Sequence, residues 1–236
     1  MRFKLSQLQT VILLISATYI AYLGVTKQLT LYIHPRYVAF TIIMAAIALL
    51  LLVLNSYYSL ESHSHKSGKL TFLPLGLVII AAVLLPARTL TSATVSQRST
   101  DAGSLVSTSE SKPLNTLFAG SSRGLKLTDW SRLLSSNQDP TYYANKPAKI
   151  SGFVYDANLG NDTIWLARFV LTCCAVDAQP VGIPVQLNNW RSEYDKDEWL
   201  EVEGIFQKKQ TTEGEILVLV PTSTMQIEQP RNPYAN

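Results

Sequence analysis

Three long stretches of the chain carry no ionic side chain: 5–26, 37–60 and 70–87, bounded by Lys4 and Lys27, Arg36 and Glu61, and Lys69 and Arg88. Each is close to the roughly 20 apolar residues that cross a hydrocarbon core about 30 Å thick. An Asp, Lys or Arg at mid-bilayer costs roughly 2.5–3.5 kcal/mol on insertion scales. Ion-free stretches of this length therefore repeat where lipid is the solvent. The chain is 16% charged, against about 25% in soluble domains, and these three gaps account for the deficit.

The predicted spans are Leu5–Val25, Tyr37–Leu54 and Leu70–Leu85. A positive start and an apolar core at Arg2 to Val25 also fit a secretory signal peptide. The length of the stretch, and the lack of a small-x-small cleavage site before more membrane sequence, favour an uncleaved span. The third span contains Pro74 and Gly76, both tolerated in membrane helices when neighbours satisfy the freed backbone groups. Tyr19, Tyr22, Tyr32, Tyr37, Tyr57 and Tyr58 fall at or near the ends of the first two spans, as an aromatic belt requires.

Charge divides the chain. The first 122 residues have 9 Lys/Arg and 3 Asp/Glu; the rest have 11 and 14. The basic excess flanks the apolar spans, where it suits anionic headgroups. The C-terminal part is slightly acidic, which argues against nucleic acid as its partner. Three crossings put the termini on opposite sides, but loop charges tie between the two faces. The stretch 89–122 is rich in Ser and Thr and has no apolar period, so it reads as a linker carrying a domain to the outer face. The expected organisation is a transmembrane region over 1–88, a linker over 89–122 and a β-rich domain over 123–236. The N-terminus is expected in the cytoplasm and the C-terminal domain outside it.

Within 123–236, Leu127, Trp130, Leu133 and Leu134 fall at helical spacing behind a Thr128 or Asp129 cap, predicting a short helix over Thr128–Leu134. Strands are predicted over Ala148–Tyr155, Thr163–Leu171, Val181–Leu187, Glu198–Phe206 and Glu215–Val220. In the fourth, Trp199, Val202 and Ile205 do not share one strand face, which predicts a bulge near Glu203–Gly204. Five short strands and one helix suit a small OB-like barrel, with a β-sandwich as the alternative.

Cys173 and Cys174 are the only cysteines, and Asp177 follows them. Thiolates suit zinc or cuprous copper, and a carboxylate supplies an oxygen ligand. Two sulfurs and one carboxylate fall one short of a tetrahedral set, leaving a place for water, solute or another subunit. Buried structural thiols and redox thiols are the competing readings; Arg168 is the nearest cation in sequence. His63-Ser64-His65, between the second and third spans, reads as a solvated loop. His34-Pro35-Arg36 reads as a helix start with a snorkelling Arg.

The C-terminal part has no histidine to serve as general base beside Ser or Cys, and no Gly-rich phosphate loop is present. A non-enzymatic protein is expected. Glu193, Asp195, Asp197, Glu198, Glu201 and Glu203 form an acidic stretch, read as a solvated face with an oxygen-rich cation site as the alternative.

Several strings together resemble one family: Tyr32-Ile33-His34-Pro35-Arg36, Gly152-Phe153-Val154, Arg168-Phe169, Thr172 to Ala178, Trp199, Gly204, and Pro230 to Tyr234. It comprises bacterial membrane proteins described as one subunit of a two-component permease. Asn145-Lys146 departs from the Gly-Lys expected before the first strand. The resemblance implies a separate multi-span permease as partner and no defined substrate. The resulting expectation is an accessory permease subunit whose tethered domain binds a soft metal or other solute. An envelope thiol or metal-handling protein without a permease, and a structural interaction module, are the alternatives.

Overall fold

The computed structural model describes residues 5–58, 89–98, 122–136, 139–211 and 214–235. The third expected span, together with His63 and His65, lies outside them. The chain divides into two compact units: residues 1–88 with Cys173–Ala175, and the remainder from Thr89 onward.

The first unit contains helices α1 (Leu5–Val25) and α2 (Pro35–Tyr58), joined through a 3-10 turn at Gln28–Leu31. Pro35 occupies the first turn of α2, where a missing N–H costs nothing. The helices approach closely: a Cβ on Gly24 would lie 3.3 Å from Ile42 Cδ1. Among the described residues there, Ile12, Ala17, Leu23 and Leu29 are buried, while Leu13, Leu14, Ile15, Phe40, Ile43, Leu50 and Leu51 are exposed. Among the described residues, α2 over Pro35–Leu54 is the one helix long and apolar enough to cross a membrane; α1 is apolar over the shorter Val11–Val25.

The second unit begins with a helix inside the segment expected as a linker. Helix α3 (Ser92–Arg98) buries Val95 to 2% exposure against Phe153, Phe169, Leu171, Ala178, Trp199 and Tyr234. Residues 92–98 are thus built into the domain; 99–121 lie outside the described residues.

Helix α4 (Leu127–Ser136) follows the predicted spacing closely. The Asp129 carboxylate accepts from the Lys126 N–H at 3.0 Å, satisfying a donor at the helix start. Short helices α5 (Pro140–Tyr143) and α6 (Trp190–Glu193) flank strands β1 (Pro147–Tyr155), β2 (Thr163–Val170) and β3 (Gln179–Gln186), followed by β4 (Trp199–Thr211) and β5 (Gly214–Ile227). The five strands form one mixed sheet that closes in the order β1-β2-β3-β5-β4. β4 returns antiparallel to β1, and β3 pairs parallel with β5.

Inward positions follow the two-residue period: Leu200, Val202 and Phe206 on β4 join Ile164, Leu166, Ile183, Val185 and Leu219 in the core. Trp130 of α4 caps it, with its ring 4.7 Å from Phe206 and 6.5 Å from Tyr143. Fully burying side chains of this size contributes about 1.5–3 kcal/mol each. The Tyr143 hydroxyl donates to the Leu133 carbonyl, and burial pushes its pKa up to about 12.

A register shift occurs at Glu203/Gly204, where the bulge was expected, but the extra residue sits on the other strand. Gly204 pairs with Pro221 and Glu203 with Ser223, leaving Thr222 unpaired in β5. The Thr222 hydroxyl then donates to the Glu203 carbonyl at 3.0 Å. Pro221, lacking an N–H, suits such a site. β4 therefore needs no extra residue of its own: Trp199 packs in the cluster around Val95, Val202 lies in the core on the other face, and Ile205 is 37% exposed.

Candidate functional site

Cys173, Cys174 and Asp177 occupy the connection between β2 and β3. Antiparallel pairing runs up to Val170–Gln179, so only eight residues close the hairpin. Buried Leu171 and Ala178 anchor the two ends, and Arg98 Nη1 donates to the Ala178 carbonyl. Residues Ala175–Asp177 make one 3-10 turn, which brings Asp177 back toward the cysteines. Asp177 Oδ1 accepts from the Thr172 N–H at 3.1 Å and closes the loop across its base.

The two thiols are not joined in a disulfide; their sulfurs lie 3.5 Å apart. All three ligand atoms fall within 4.8 Å of one another, with Cys173 exposed and the other two half-buried. Two sulfurs bound to one tetrahedral zinc at about 2.3 Å each stand about 3.8 Å apart. The thiols would need to part by only a few tenths of an ångström to hold such an ion, with the carboxylate as third ligand. Val176, between Cys174 and Asp177 in sequence, is 85% exposed. A bulky apolar side chain is thus displayed beside the thiols.

The backbone at Cys173–Ala175 pairs with the α1–α2 connection inside the first unit. The His34 N–H donates to the Cys173 carbonyl at 3.0 Å, the Ala175 N–H donates to the Tyr32 carbonyl at 2.8 Å, and Ile33 bridges Cys174. No local pattern pointed to this pairing. Its only trace was that both strings carry the family resemblance. The His34 ring is engaged beside its own backbone, with Nδ1 accepting from the Arg36 N–H at 3.1 Å.

The acidic stretch does not converge. Asp197 binds Ser92, and Glu198 accepts from the Asp195 N–H and from Gln226. Glu201 pairs with Lys149 at 2.8 Å and Glu203 with Arg123 at 3.7 Å. Arg168 is directed elsewhere than the thiols: its guanidinium lies 5.1 Å from the Trp199 ring centre, and Nε donates to the Pro233 carbonyl at 3.3 Å.

Fold and site define a two-part protein: apolar N-terminal helices, one long enough to cross a membrane, and a five-stranded domain bearing a Cys-Cys-x-x-Asp loop. The chain belongs to the DUF1980 family: the N-terminal domain model matches residues 8–101 and the C-terminal domain model matches 125–236. No curated protein and no solved structure matches it.

Proposed function

We propose that this protein is a non-enzymatic accessory subunit of a membrane permease complex, and that its C-terminal domain binds a soft metal through Cys173, Cys174 and Asp177. The observation that carries the reading is the sulfur pair at 3.5 Å with a carboxylate beside it, on a loop held at both ends. Zinc is the ion whose geometry the pair fits best, and a permease or solute atom supplies the remaining ligand. The helices anchor the chain as a multi-pass protein, with outward apolar side chains on α1 and α2 facing lipid. The strand order suits an OB-like barrel, placed on the extracytoplasmic side. The three ion-free stretches of the sequence, few for a complete carrier, support a separate multi-span partner.

The full chain, purified in detergent with its bound metal measured, tests the metal half. Co-purification from native membranes tests the permease half. One equivalent of zinc that is lost in Cys173→Ser and Cys174→Ser, together with a multi-span protein retained through purification, supports the reading. Recovery of the protein alone, with metal still bound, leaves metal handling without a permease. No metal and no partner removes both.

A further inference from the structure

A second site lies wholly within the five-stranded unit, independent of the cysteine loop. A cleft of about 450 Å³ opens between β1, β2, β4, the start of α4 and the C-terminal segment near Tyr234. Pockets of this size accommodate small organic molecules. Four cations line it, Arg123, Lys126, Lys149 and Arg168, against one carboxylate, Glu201. Glu201 is already engaged by Lys149 at 2.8 Å, and Arg123 reaches out to Glu203 at 3.7 Å.

Arg168 is the unusual member. It is half-buried, it stacks over Trp199, and its hydrogen bond is to a neutral acceptor, the Pro233 carbonyl. Among the described residues, no carboxylate pairs with it. Burying a cation without a counter-charge is costly, and burial pushes its pKa down. A guanidinium fixed in this way presents a planar fork that matches the two oxygens of a carboxylate or phosphate. Ser151 and Asn232 add neutral polar groups to the lining.

We propose that this cleft is an oxyanion-binding site in which Arg168 is the anchoring residue and the excess of cations over carboxylates in the lining sets the surrounding positive field. Its ligand is a small molecule bearing a carboxylate or phosphate group.

The test is calorimetric titration of the full detergent-solubilised chain with inorganic phosphate and, separately, acetate. The comparison is with Arg168→Gln, Arg168→Lys and Arg191→Gln. Arg191 pairs with Asp156 at 2.8 Å and does not line the cleft. Stronger binding of phosphate identifies a phosphate-bearing ligand, and stronger binding of acetate a carboxylate. Either affinity should fall about tenfold or more in Arg168→Gln, as expected for losing a charged hydrogen-bond pair. It should fall less in Arg168→Lys, stay within about twofold in Arg191→Gln, and weaken as sodium chloride is raised. Failure of both anions to bind at millimolar concentration overturns the proposal. So does equal binding by parent and Arg168→Gln when near-UV circular dichroism shows both folded. Metal content reads the cysteine loop separately, so each site stands or falls by its own measurement.

Discussion

Ser92 and Asp197, 105 residues apart, are joined by two hydrogen bonds: the Ser92 N–H to Oδ1 at 2.6 Å and the Ser92 hydroxyl to Oδ2 at 2.9 Å. Asp197, just ahead of β4, thereby caps α3 from outside, while Val95 on the same helix is buried under Trp199 and Phe169. Asp197→Ala should cost about 1–2 kcal/mol in denaturant unfolding followed by tryptophan fluorescence. Asp197→Asn should cost less, because it keeps one acceptor and tolerates the left-handed backbone at this position (φ 70°).

Gly204 allows the crowding at the bulge. A Cβ there would sit 2.3 Å from the Val220 carbonyl oxygen, a backbone atom that cannot move without disturbing the β4–β5 ladder. Gly204→Ala is expected to lose about 2 kcal/mol or more. Gly124→Ala meets nothing within 4 Å and is expected to be near neutral. Equal melting temperatures for the two variants would contradict this account.

Asp156 gives the domain an acid-sensitive contact. Burial alone pushes its carboxyl up, but the Asn158 N–H, the Arg191 guanidinium and the Lys196 charge together outweigh burial and hold it below the usual carboxylate range. A depressed folded pKa means the stabilisation is complete above the unfolded value of about 3.9 and is lost as pH falls through the lower folded value. Asp156→Asn should therefore be less stable than the parent by about 1 kcal/mol at neutral pH. The two should converge once pH falls below the lowered folded value, in a pH series of urea midpoints.

At the cysteine loop, Asp177→Asn separates two roles. Asparagine can still accept from the Thr172 N–H, so the loop closure seen at 3.1 Å survives, but the negative ligand is gone. Competition against a chromophoric chelator should show zinc bound about tenfold more weakly. The Cys173→Ser and Cys174→Ser chains should each lose most of the metal. Binding should also weaken toward acid pH, because the thiols must release protons to bind.

Features written in neighbouring residues were legible beforehand. The ion-free stretches marked α1 and α2, the apolar period marked α4, and Cys-Cys-x-x-Asp marked a loop that brings the two thiols and the carboxylate within 4.8 Å of one another. Features set by distant partners were not. Helix α3 hides in Ser- and Thr-rich sequence because its anchors, Asp197 and the Ala178 carbonyl, lie about 80 to 105 residues away. β4 runs on to Thr211 through Gln207, Lys208, Lys209 and Gln210, polar residues that carry no apolar alternation yet pair along β5. The cleft proposed for an oxyanion draws its four cations from three separate stretches of chain, around Arg123 and Lys126, at Lys149 and at Arg168, and no short window of sequence contains them together.

Leu171 and Ala178 hold the eight-residue connection at both ends. Most of the disorder a free peptide would surrender on grasping an ion has therefore been surrendered already, during folding. What remains to adjust is the spacing of two sulfurs and the swing of one carboxylate. If the loop holds an ion as proposed, one too large for that aperture would have to prise Leu171 or Ala178 out of its apolar seat, so the hairpin would screen by radius as well as by softness.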